Sequence, residues 1–127
     1  MVMSHLNQNE KWKNIIQNLK IMTDYIQIQT TTGTKEEAEK IGRGLVEQGL
    51  AACFQIVGPI TSIFKWESKI DESQEYLCLI KTRKDLFNEV KTNIETNHSY
   101  EVPEIIATDI VTGSEKYLSW MNDSLKS

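Results

Sequence analysis

The chain is poor in the residues from which most cofactor sites are made. It has two histidines, His5 and His98, and two cysteines, Cys53 and Cys78, in 127 residues. An iron–sulfur cluster takes four thiolates, so the cysteine count excludes a ferredoxin-type cluster. Neither cysteine belongs to a CxxC, and their separation fits no zinc spacing. Both stand inside apolar runs, which is the setting of buried, reduced thiols in a cytoplasmic protein more than of a disulfide framework. A copper(I) site on the pair would require them to meet in space. Positive charge is neither dominant nor clustered: the formal net charge is −4 with no Lys/Arg run, so a nucleic-acid partner is not expected. No apolar run approaches the ~20 residues of a membrane span, so no membrane partner is expected either.

Catalytic patterns are missing too. No Ser/His/Asp grouping supplies a nucleophile and base. The loop Thr30–Thr34 carries no Arg of the kind an acylphosphatase-like phosphate cradle would use. The run Glu75–Lys81 holds one aromatic, unlike the basic aromatic third strand of an RNA-binding sheet. The expectation is a protein that is not an enzyme.

What the chain does have is β-forming sequence between Leu50 and Arg83. Three apolar runs follow one another, Ala51–Val57, Ile60–Trp66 and Tyr76–Ile80. Gly58-Pro59 is expected to break the first from the second. The polar stretch from Glu67 to Ser73 is expected to turn the chain back, making a long hairpin. A long ribbon has edges that must be covered, charged or paired with another chain; pairing with a second copy is the reading favoured here.

Residues 1–24 read as an extension, either an amphipathic helix on Trp12, Ile15, Ile16, Leu19 and Met22 or a frayed tail. They lack the continuous apolar stretch of a secretory signal and the arginines of a mitochondrial presequence. Residues 25–127 form the domain proper. Tyr25–Thr30 alternates as a half-buried strand. Thr34 and Glu37 make a capping box, followed by a helical stripe of Ala38, Ile41, Leu45 and Val46 that ends at Gly49. Gly42 and Gly44 point to close packing on the sheet. Beyond the ribbon, Thr82 and Asp85 look like a second cap, before a helix built on Leu86, Phe87, Val90 and Ile94. Ile105–Val111 is a further strand, and Gly113-Ser114 opens a last helix on Tyr117, Leu118, Met121 and Leu125. The order β-α-β-β-α-β plus a C-terminal helix predicts an α+β, ferredoxin-like sandwich.

Polar residues gather around one bend: His98, Tyr100, Glu101 and Glu104, with Lys81 and Thr82 at the end of the third strand. An imidazole beside carboxylates can hold a metal or act as a proton-linked switch. It can equally cap the second helix, favoured there by the dipole. Phe64 and Trp66 alternate along the ribbon as core or interface. Glu67, Asp71, Glu72 and Glu75 read as a solvated hairpin tip.

Five stretches then carry a resemblance: LAAC at 50–53, ITSIFKWESKI at 60–70, IKTR at 80–83, YEVPEIIA at 100–107 and YLSWMNDSL at 117–125. In order and at their spacing they resemble the CutA (CutA1) divalent-cation tolerance family over roughly residues 25–125. The resemblance implies a tight homotrimer of ferredoxin-like subunits, with Phe64, Trp66 and Trp120 as interface candidates. It implies a role in tolerance of copper and other divalent metals, for which His98, Glu101 and Glu104 of the polar bend are the candidate ligands. Similarity to PII signalling trimers implies an alternative, a small anionic ligand in inter-subunit clefts near Lys69, Lys81, Thr82, Arg83 and Tyr100. A structural trimer that scaffolds a protein partner is the third. In bacterial relatives, copper ligands have been assigned to a Cys at the end of the first strand and to a His-His pair. Thr30 and Asn97-His98 stand at those positions here. Ser68 stands where the hairpin usually has Gly, and Ser99 where the bend usually has Pro.

Overall fold

A computed structural model describes residues 7–13 and 24–127. Residues 8–13 are helical and begin with a reciprocal cap. The Asn7 side-chain oxygen accepts from the Glu10 N–H at 2.9 Å, and Glu10 accepts from the Asn7 N–H at 3.2 Å. The other apolar positions expected of this helix, Ile15, Ile16, Leu19 and Met22, lie outside the described residues.

From Tyr25 the order is β1 (Tyr25–Thr32), α1 (Lys35–Glu47), β2 (Cys53–Trp66), β3 (Lys69–Arg83), a 3-10 turn (Lys84–Leu86), α2 (Phe87–Asn97), β4 (Ile106–Asp109) and α3 (Glu115–Ser124). The four strands form one antiparallel sheet in the order β2-β3-β1-β4. Ile26, Ile28 and Thr30 share one face of β1 and lie opposite Thr82, Ile80 and Cys78 of β3; all six are at most 3% exposed. A strand alternates its side chains between faces, so this face takes the buried stripes of α1 (Ala38, Ile41, Leu45) and α2 (Val90, Ile94). The C-terminal helix α3 adds Leu118 and Met121 to the same continuous core as Tyr25. Its Tyr117 ring lies 5.7 Å from Lys81 Nζ.

The expected start of α1 is half present. Thr34 accepts from the Glu37 N–H at 3.2 Å, but the Glu37 carboxylate turns to Ser99 instead of back to the cap. Gly49 takes φ +69° where the helix stops, a left-handed conformation that glycine adopts without Cβ strain.

Five expectations are corrected. Gly58-Pro59 does not end a strand: β2 runs unbroken from Cys53 to Trp66, with a register shift between Val57 and Ile60. On an edge strand a proline's missing N–H deprives no neighbour of a hydrogen bond. The turn is the pair Glu67-Ser68, at φ 48° and 65°, while Lys69–Ser73 belong to β3. The Thr82/Asp85 cap does not form. Leu86 is the N-cap of α2 and makes no side-chain cap bond, because the Thr82 hydroxyl donates to the Leu50 carbonyl at 2.6 Å and Asp85 pairs with Arg83 at 2.9 Å. Finally, β4 spans four residues, Ile106–Asp109, and of the two helical glycines only Gly42 packs closely, since a Cβ on Gly44 would meet nothing nearer than Gln48 Nε2 at 3.9 Å.

Candidate functional site

The bend after α2 crosses the end of β1 at Thr31–Gly33. Its first residue, His98, is extended (φ −91°, ψ 143°) and its side chain is fully buried. Nε2 lies 2.7 Å from the Thr31 carbonyl oxygen. A carbonyl only accepts, so Nε2 carries the hydrogen. Nδ1 accepts from the Tyr100 N–H at 3.0 Å. The imidazole is therefore the neutral Nε2–H tautomer, with its one lone pair already used. Glu37 Oε1 lies 3.4 Å from Nδ1 and accepts from the Ser99 hydroxyl at 3.1 Å.

Tyr100 comes next. Its ring tilts against the His98 ring at 4.7 Å, and its hydroxyl donates to Glu75 Oε2 at 2.8 Å. A Cβ on Gly33 would stand 3.3 Å from that hydroxyl, so the phenol rests on bare backbone. Burial, and then the Glu75 carboxylate it bonds, push the Tyr100 phenol up to about 12. It is a neutral donor across the ordinary pH range. Glu75 itself is 7% exposed, which corrects its reading as part of a solvated tip. Nearby, burial pushes the Cys78 thiol up to about 11, with a hydrogen bond from Thr32 opposing and the charge of Glu37 adding.

The three residues read as cation ligands are not brought together. His98 is sealed under the bend, Glu101 is exposed, and Glu104 accepts from the Gln29 amide at 2.9 Å. Among the described residues no group of three or more His, Cys, Asp or Glu is placed to hold a metal ion. Thr30, at the position of the bacterial cysteine, offers a hydroxyl that is fully buried without a partner. The residues present do not fit a soft copper site of that type, which needs thiolate or free imidazole donors.

The anionic-ligand candidates fall at the two ends of β3 and at the bend. Lys69 and Arg83 are the two ends of β3, about 45 Å apart at ~3.3 Å per residue. Lys81 donates to Gln55 at 3.0 Å, and Thr82 holds Leu50. Arg83 is bound on three sides: Asp85, the Asn122 side chain at 3.3 Å and the Lys126 carbonyl at 2.9 Å. The interface candidates point outward: Phe64 is 40%, Trp66 57% and Trp120 48% exposed. Sequence reasoning missed Glu37 of α1 and Glu75 of β3 as partners of the bend. Glu37 carried a signal, since a cap residue at that position need not spend its carboxylate on the cap.

The model of the CutA1 divalent ion tolerance protein family matches residues 26–124. The chain belongs to the CutA1 family. Two curated members show its breadth. The chain is 39% identical over 101 residues to a chloroplastic CutA protein of Arabidopsis thaliana, covering 80% of this chain and 56% of that relative. It thus spans just over half of the plant protein. It is 40% identical over 94 residues to a divalent-cation tolerance protein CutA of Thermus thermophilus, covering 74% of this chain and 91% of the relative. Crystal structures agree. CutA1 from Oryza sativa aligns with a TM-score of 0.81 at 36% identity, over 84% of this chain and 98% of that one. CutA1 from Thermus thermophilus aligns at 0.78 and 37% identity, over 80% and 99%. CutA1 proteins are named for tolerance and not for a reaction.

Proposed function

We propose that this protein serves tolerance of divalent cations, copper first among them, as a non-enzymatic homotrimer of ferredoxin-like subunits in the cytoplasm. The family match supports the metal role. The β2–β3 arm carries the assembly. Beyond the Val57–Ile60 shift the arm continues as two strands alone, with Ile63, Phe64, Trp66 and Ile70 between 40% and 80% exposed. A two-stranded ribbon is marginally stable in water by itself, and clustered exposed apolar side chains mark an interaction surface. Further copies would cover those side chains, and the sheet edges β2 and β4 offer unpaired backbone for the same contact. Two free cysteines, one buried, suit a reducing compartment.

Light scattering on the purified chain tests the assembly. The expected mass is three times the 14.6 kDa subunit, and Ile63→Lys with Trp66→Glu should reduce it to one. A wild-type monomer at micromolar concentration would refute the trimer. Calorimetric titration of the reduced protein with copper and zinc tests direct metal contact. Binding no tighter than about millimolar, ~4 kcal/mol, would remove it.

A further inference from the structure

We infer that His98 is a positioning residue and not a cation ligand: its imidazole ties the 98–104 bend to the end of β1 and holds Tyr100 on Glu75. Divalent ions are then met elsewhere than at the one imidazole among the described residues. Only this second half rests on the cation reading above.

A metal ion needs a lone pair on an imidazole nitrogen. At Nε2 the ion would have to displace a proton that faces the Thr31 carbonyl at 2.7 Å, and would leave that carbonyl without its donor. At Nδ1 it would evict the Tyr100 N–H, 3.0 Å away. Either route strands a backbone group in a pocket where the imidazole has no solvent exposure, a loss that water does not make good. Co-ligands are lacking as well. Glu37, the nearest carboxylate, is engaged by both the hydroxyl and the N–H of Ser99, at 3.1 and 3.4 Å. Four-coordinate sites need donors at about 2.0–2.3 Å from a common centre.

The same bonds have a positive use. One nitrogen reaches two residues forward to Tyr100 and closes a turn; the other reaches across the fold to β1. Ser99, between them, is tied to α1 through Glu37. Three consecutive residues thus fasten the bend to three different parts of the molecule. Tyr100 can then lie only where it is found, over Gly33 with its hydroxyl on a carboxylate that is 7% exposed.

Two substitutions divide the imidazole. In His98→Asn the side-chain oxygen can take the place of Nδ1 and accept from Tyr100. In His98→Gln the amide can take the place of Nε2 and donate to Thr31. His98→Ala keeps neither bond. Thermal midpoints at one subunit concentration should rank wild type first, Asn and Gln between, and Ala last. Imidazole 15N spectra of the wild type should show the neutral Nε2–H pattern, unchanged by added zinc. Zinc and copper affinities of the Asn and Gln variants should match wild type. A loss of about tenfold or more, the effect expected even of an outer-shell partner, in a variant that remains folded overturns the inference. So does a zinc-dependent shift of the His98 signals, or an Nδ1–H tautomer. If the wild type binds neither metal, the cation reading falls, and the tautomer together with the ranking still decides the positioning role. If the Ala variant does not fold, Asn and Gln carry the test.

Discussion

Two glycines in α1, one half-turn apart, should respond to the same substitution with opposite signs. A Cβ on Gly42 would lie 2.5, 2.8 and 2.9 Å from Cδ1, Cγ and Cε1 of Phe54. At Gly44 the nearest atom would be Gln48 Nε2, at 3.9 Å. Neither residue has a positive φ, so alanine suits both backbones and gains about 1 kcal/mol of helix propensity at each. At Gly44 that gain stands. At Gly42 it is opposed by overpacking, about 1–3 kcal/mol, because the obstructing atoms belong to a rigid ring packed against the core. The net change is a loss of ~0–2 kcal/mol at Gly42 and a gain of ~1 at Gly44. Their difference, ~1–3 kcal/mol, is the firmer quantity, since both share one helix and one unfolded chain. Thermal midpoints should separate by roughly 3–5 °C per kcal/mol in a domain of this size, measured at a single concentration because assembly shifts the midpoint. Adding Phe54→Val to Gly42→Ala removes the obstructing ring. The double mutant should therefore be more stable than the two single effects sum to, by more than the ~0.5 kcal/mol scatter of independent sites. Equal stabilisation by both alanines, or strict additivity with Phe54→Val, would refute the packing account.

Three other perturbations probe the sheet and the bend. Thr82→Val keeps the shape of a fully buried side chain but orphans the Leu50 carbonyl; a loss of about 1–3 kcal/mol should appear as a lower urea midpoint with unchanged slope. Ser68→Gly removes a left-handed strain at φ 65°, and hydrogen exchange along the arm should slow by an amount equivalent to about 1 kcal/mol. Tyr100→Phe should cost about 1.5–3 kcal/mol near neutrality by leaving Glu75 without its donor. The pH profile adds a sign. The folded phenol keeps its proton up to about 12 while the unfolded one loses it around the ordinary tyrosine value of 10.0. The native state then binds more protons, and wild-type stability falls as pH rises through that window. Tyr100→Phe lacks this slope, so urea melts from pH 10 to 12 should show the two proteins converging. A constant gap would count against the buried phenol.

The regular elements were legible because their signals are local. Thr34, Gly49 and the stripe of Ala38, Ile41 and Leu45 each act within a few residues and appear where expected, whereas Val46, read as part of that stripe, is exposed. The alternation of β1 likewise needed only itself. The misreadings share one cause, a residue whose partner lies far along the chain. Thr82 followed by Asp85 has the pattern of a cap, yet its hydroxyl is claimed by Leu50, 32 residues away. Glu75 looked solvated among its acidic neighbours until Tyr100 closed over it. His98 is scarce and polar, which is a sound signal for importance but not for role. Its tautomer depends on Thr31, 67 residues distant, and no spacing rule contains that contact. Gly58-Pro59 failed differently: the dipeptide does disturb pairing, but on an edge strand the disturbance costs a register shift and not the strand.

The sheet order also fixes a timetable. β1 is made first, yet it sits between β3 and β4, with Tyr25 opposite Arg83 and Ile26 opposite Asp109. At ~5–20 residues per second of synthesis, its apolar side chains wait on the order of seconds for either neighbour to exist. β2 and β3, joined by a two-residue turn, can zip within ~1–10 μs of emerging. β1 can thus be seated only once β3 exists, and β4, made last of the strands, has only β1 to pair with. Until β1 is seated, Ile26 and Ile28 remain open to chaperones, and the inner edge of β3 remains open to any other strand.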